Sequence, residues 1–172
     1  MANSILGWTL DKLIDGCGVV AMTAIALAGI LITVDVGLRG SGFGVVYGGT
    51  ETVEYLVFLT AFYSAPWVLR QNAHIRVDFV LQIVPRRLAR ALEAFADIVG
   101  AAVVFLMLFY AARIALQSFG EGRVVFKSYF FPEWWIFAAA SLALLLLWLE
   151  FIRRTLRALR GRIDEPADQL SW

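Results

Sequence analysis

The 172-residue chain has one cysteine, Cys17, and one histidine, His74. A lone thiol excludes an intrachain disulfide and a thiolate metal cluster, and a lone imidazole excludes bis-histidine haem ligation within the chain. P-loop, HExxH and CxxC strings are missing, and no evident nucleophile stands beside a base. Charged residues make up 17% of the chain, against roughly 25% in an average soluble domain, and no series of carboxylates crosses the middle of an apolar block. Enzymatic chemistry therefore has no residues to rest on, and no cofactor, metal or nucleic acid is expected. Internal similarity does not exceed what any two apolar helices share, which leaves an inverted-repeat transporter built from this chain alone without support.

Apolar sequence fills the space. Hydrophobic residues are 60% of the chain, with a mean hydropathy of +0.75, well above the roughly 45–50% of a soluble domain. The excess lies in blocks: 16–34, 55–69, 98–112 and 134–149 contain no Asp, Glu, Lys or Arg. Crossing a bilayer takes about 20 helical residues, so the first block suffices alone and the others reach that length with one or two polar residues at an end. The expected fold is an all-α membrane protein forming a single integral membrane domain. Its four transmembrane helices are placed at about 13–38, 50–69, 94–118 and 132–152.

Charge orients the spans. Lys12, Arg70, Arg76, Arg86, Arg87, Arg90, Arg153, Arg154, Arg157, Arg160 and Arg162 fall on one side, and only Arg39, Arg113, Arg123 and Lys127 on the other. The positive-inside bias predicts cytoplasmic N- and C-termini. A cleaved signal peptide is disfavoured because 19 uninterrupted residues in the first block exceed the usual apolar region of about 7–15. Residues 1–12 read as a short interfacial lead, with Trp8 at headgroup level.

In the first span Cys17, Ala21, Ala24 and Ala28 put small side chains on one face, a candidate seam within the bundle or with a partner. Asp35 and Arg39, four apart, are placed to pair. Residues 40–49 form a glycine-rich external loop. The second span opens with Glu51 and Glu54, which suit the positive end of a helix. Glu54, about a turn in, is a candidate functional carboxylate: an ion-pair partner of Arg39, a contact for another subunit, or an ion- or proton-handling group. Ala61 and Ala65 form a second small-residue pair, Pro66 should kink the last turn, and Trp67 marks the inner interface.

The polar stretch 70–78, Arg70-Gln71-Asn72-Ala73-His74-Ile75-Arg76-Val77-Asp78, forms a cytoplasmic elbow. Residues 75–84 are too few to cross and read as a short interfacial helix between the second and third spans. Asp78 is expected to accept hydrogen bonds from the backbone or from Arg76. His74 is expected to cap the second helix, sit at the headgroups or touch a partner. Arg86, Arg90, Glu93 and Asp97 then form a charged stripe on a helix expected from Pro85 to Ser118. Arg113, near its outer end, is placed to snorkel to water or to pair with Glu54. The external loop 119–131 is aromatic, which suits interfacial anchoring or a partner contact. Pro132 and Glu133 open the last span, whose ends are marked by Trp134, Trp135 and Trp148. Its arginines 153, 154, 157 and 160 suit anionic lipid, and 164–172 is expected to be a mobile tail.

Several of these features together resemble a known family: Val36-Gly37-Leu38-Arg39 closing the first span, the acidic entry Glu51-Thr52-Val53-Glu54-Tyr55, Arg70, the string His74-Ile75-Arg76-Val77-Asp78, and Pro85. The pattern resembles the small, DctQ-type membrane subunit of tripartite ATP-independent periplasmic (TRAP) transporters. It departs from the common form at Ala73, where glycine is frequent, and at 48–51, where a tryptophan with paired acids is frequent. The resemblance implies location in a bacterial or archaeal inner membrane. It implies two partners, a large multi-span subunit and a transient periplasmic binding protein, and a role beside the static part of that subunit in sodium-coupled uptake of an organic acid. The competing expectations are a self-sufficient proton-coupled exporter using Glu54 and a membrane anchor for a redox enzyme.

Overall fold

The computed structural model describes residues 5–71 and 86–159. Four helices dominate: α1 (Ile5–Gly40), α2 (Gly49–Gln71), α3 (Arg86–Glu121) and α4 (Trp134–Leu159), with two short strands, β1 (Val124–Phe126) and β2 (Phe130–Pro132), between α3 and α4. Each helix is long and apolar enough to cross a membrane. The 36 residues of α1 and of α3 rise about 54 Å at 1.5 Å per residue, so both overreach a hydrocarbon core of about 30 Å.

Helix ends follow local chemistry. At the end of α1 the Gly42 N–H donates to the Arg39 carbonyl and the Phe43 N–H to that of Leu38, and Gly42 has φ +76°. At the end of α3 the Gly122 N–H donates to Phe119 and the Arg123 N–H to Ser118, and Gly122 has φ +63°. Both are left-handed glycine caps that satisfy the last carbonyls.

Three expectations change here. The proposed lead 1–12 is helical from Ile5, because no proline or turn signal separates it from the first span. The aromatic stretch 119–131 is not all loop: α3 runs on to Glu121, and 124–132 forms an antiparallel hairpin with Val124 opposite Pro132, Val125 opposite Phe131 and Phe126 opposite Phe130. Pro132 therefore closes a strand, and the last helix starts at Trp134.

The main packed pairs are α1 with α2 and α3 with α4; α2 also packs on α4, and α1 meets α4 only slightly. The helices thus lie in the order α1, α2, α4, α3, with α2 and α4 in the middle. Small side chains build the seams: Cys17, Ala21, Ala24 and Ala28 of α1 are buried, as are Ala140 and Ala143 of α4. In lipid an apolar side chain gains nothing by leaving its surroundings, so helices associate by close approach and dispersion, which small residues permit. A Cβ on Gly18 would stand 2.6 Å from Cδ1 of Trp67, and one on Gly100 would stand 2.7 Å from Cε1 of Phe151. Trp67 thus plugs into α1 as well as marking a helix end, and the Trp148 ring lies tilted against that of Phe105, centroids 5.5 Å apart, in the α3–α4 seam.

Candidate functional site

Polar side chains gather at the two ends of the bundle. At the end containing Arg70, Asp11 of α1 accepts from two helices at once. The Arg70 Nη1 donates to the Asp11 carbonyl at 2.9 Å, and Arg153 of α4 forms an ion pair with the Asp11 carboxylate. Arg70 also pairs with Asp15. Arg153 Nη1 lies 3.6 Å from Glu150, whose side chain is buried, and Arg154 Nε lies 3.1 Å from Asp97 of α3, which is only 5% exposed. All four helices are cross-linked here by charge. Arginine suits this because its planar fork serves several acceptors while its stem packs along apolar surface.

At the opposite end the hairpin turn docks onto the start of α2. Glu51 Oε2 accepts the Ser128 N–H at 2.8 Å, and Lys127 Nζ donates to Glu54 Oε2 at 2.7 Å while lying 5.5 Å from the Tyr55 ring centroid. The hydroxyl of Tyr47 donates to the Ser128 carbonyl and that of Tyr129 to the Tyr47 carbonyl, each at 3.3 Å. Asp35 pairs with Arg39 at 2.7 Å and accepts the Val46 N–H at 2.9 Å, which pins the α1–α2 loop to α1. Ser118 Oγ donates to Glu133 at 3.0 Å, joining the end of α3 to the entry of α4.

The hydrogen bond to Glu54, aided by the charges of Glu54, Tyr55 and Glu51, holds the Lys127 ammonium above the ordinary lysine pKa. A folded value above the unfolded one gives a contribution that is whole below the ordinary lysine pKa and is lost as pH rises through the raised one. The cap should therefore hold from neutral pH to roughly pH 10 and loosen only beyond it. Spin labels on Val45→Cys and Val124→Cys, in a Cys17→Ala background, read this directly. A label distance that broadens at neutral pH would contradict the assignment.

The expected site residues divide three ways. Asp35 and Arg39 are brought together. Glu54 is not brought to Arg39, nor to Arg113: its partner is Lys127 of the hairpin, because Arg39 turns back to Asp35 on its own helix. Arg113 is exposed and lies nine residues, or half a turn at 100° per residue, from the buried Val104, so it sits on the face of α3 turned away from α4. Ala21, Ala24 and Ala28 are buried, whereas Ala65 is half-buried and Ala61 exposed. His74, Arg76, Asp78, the interfacial segment 75–84 and the tail 164–172 lie outside the described residues.

The basic run at the end of the last span suits lipid, but the structure turns Arg153 and Arg154 onto Asp11, Glu150 and Asp97. The signal was present: Asp97 and Glu150 each abut an apolar block, and an ionisable group at membrane depth is normally paired inside a bundle. The hairpin had its own cue in the β-branched and aromatic runs flanking Lys127-Ser128-Tyr129.

Residues 28–161 match the family described as "Tripartite ATP-independent periplasmic transporters, DctQ component". The chain is also similar to the "Ectoine TRAP transporter small permease protein TeaB" of Halomonas elongata, with 22% identity over 153 residues that cover 89% of this chain and 76% of the relative. With four apolar helices of spanning length and a family match over most of its residues, the chain belongs to the DctQ family, as the small multi-pass inner-membrane subunit of a bacterial TRAP transporter whose partners are a large membrane subunit and a substrate-binding protein.

Proposed function

We propose that the chain acts as a rigid frame: it packs against the static part of the large subunit and supports sodium-coupled uptake of an organic acid delivered by the binding protein. In this reading the Arg70 end and both termini face the cytoplasm, as the arginine asymmetry predicts, and the hairpin faces the periplasm. The observation that carries it is the cross-linking of the helices at both ends, Asp11 to Arg70 and Arg153 at one and Glu54 to Lys127 at the other. Such ties suit an element that must not move while a neighbour does. Cargo choice then falls to the binding protein and the large subunit.

The test is uptake into vesicles containing the large subunit and supplied with binding protein, with and without this chain. Uptake is expected only with it, and full-rate uptake in its absence overturns the proposal. The exporter alternative predicts pH-driven flux by this chain alone, lost in Glu54→Gln. Against it stands the position of Glu54 in the second turn of α2, held by a hairpin lysine at 2.7 Å, rather than in the middle of a span.

A further inference from the structure

The hairpin has two faces, and the subunit itself uses one. Side chains alternate along a strand, and directly opposed residues share a face. Val125 and Phe131 are opposed and half-buried, with Phe131 edge-on to Tyr55 at 5.2 Å. Phe126 and Phe130 are opposed on the other face, 80% and 73% exposed, their rings edge-to-face at 5.7 Å, with exposed Val124 behind them. The turn is tied to Glu51, Glu54 and Tyr47. The docking that packs Val125 and Phe131 inward therefore forces the two phenylalanines outward.

Depth identifies what they meet. Lys127, next to Phe126, reaches Glu54, five residues into α2 and so about 7 Å along its axis. The hairpin turn consequently lies level with the start of α2, where Ser128 also meets Glu51. The 23 residues of α2 rise about 35 Å, little more than a hydrocarbon core of about 30 Å, so its first turns sit at the edge of that core. A soluble partner does not reach an apolar face at this level. The charges flanking the face are already paired within the subunit, Lys127 with Glu54 and Arg123 with Glu121. Exposed Phe119 and Trp135 at the neighbouring helix ends are also of the residue types found at a membrane interface.

We propose that Val124, Phe126 and Phe130 form an anchor inserted into the lipid leaflet at the hairpin end. The cap on Glu51 and Glu54 transmits its depth to α2. The proposal rests on the four spans crossing a bilayer and is independent of the frame role, since the anchor would form in a subunit with any transport duty.

Spin labels at Phe126→Cys and Phe130→Cys, in a Cys17→Ala background within the assembled transporter in lipid nanodiscs, test it by collision with oxygen and with a water-soluble nickel chelate. Oxygen access should exceed nickel access at both sites, at about 5–10 Å into the headgroup and acyl boundary, while a Val125→Cys label is shielded from both. Nickel access exceeding oxygen access at 126 and 130 would place the face in water. Shielding from both reagents would show a protein covering it. Either result overturns the anchor. A photoreactive benzoylphenylalanine at 126, which keeps an aromatic side chain and so the fold, gives a second reading: a phospholipid adduct is expected, and an adduct with the large subunit or the binding protein overturns the proposal.

Discussion

Arg154→Ala is expected to destabilise the isolated subunit by about 3 kcal/mol, towards the low end of the ~3–5 kcal/mol seen when one member of a buried ion pair is removed. Asp97 lies in the α3–α4 seam with its side chain 7% exposed, and its ion-pair partner is the Arg154 guanidinium at 3.1 Å. Truncating the arginine leaves a carboxylate that must stay charged without a partner or take up a proton, and both cost free energy. Removing both groups in Arg154→Ala/Asp97→Ala should recover most of the loss, because an apolar replacement of a buried pair is often close to neutral. Unfolding in graded detergent mixtures measures the cycle. A double-variant loss equal to that of Arg154→Ala would show that the stranded Asp97 carboxylate is not the source of the cost.

Gly18→Val should be the most damaging change in the α1–α2 seam, costing at least the ~1–3 kcal/mol typical of overpacking. An ideal Cβ at this position stands 2.6, 2.8 and 3.0 Å from Cδ1, Cγ and Nε1 of Trp67, and an indole ring turns aside less readily than the end of a flexible chain. Cys17, Ala21, Ala24 and Ala28, buried along the same helix, lie where they would be drawn from their contacts if the helices parted. Gly29→Val is the control, since nothing lies within 4 Å of a Cβ there. Both substitutions change helix propensity equally, so their difference isolates packing. Similar stabilities, measured on the subunit alone, would refute the tight seam.

Much of this was legible in one dimension. The spans could be read because burial in lipid demands about 20 apolar helical residues whatever their neighbours. The Asp35–Arg39 pair is a local relation on one helix, set by spacing alone. The string from His74 to Asp78 carried the family, although its own geometry lies outside the described residues.

Pairing between helices was a different matter. Glu54 had Arg39 and Arg113 as apparent partners, and the hairpin brought Lys127 instead. Arg153 and Arg154 looked like lipid contacts until α1 and α3 presented Asp11 and Asp97. The sequence by itself determined the number of spans and their charge asymmetry, because both follow from transfer free energies and residue types taken one segment at a time. Only the tertiary structure decided which helices adjoin, which charges neutralise one another and which face of the hairpin is left over, because those depend on rotation and register between segments, on which hydropathy is silent.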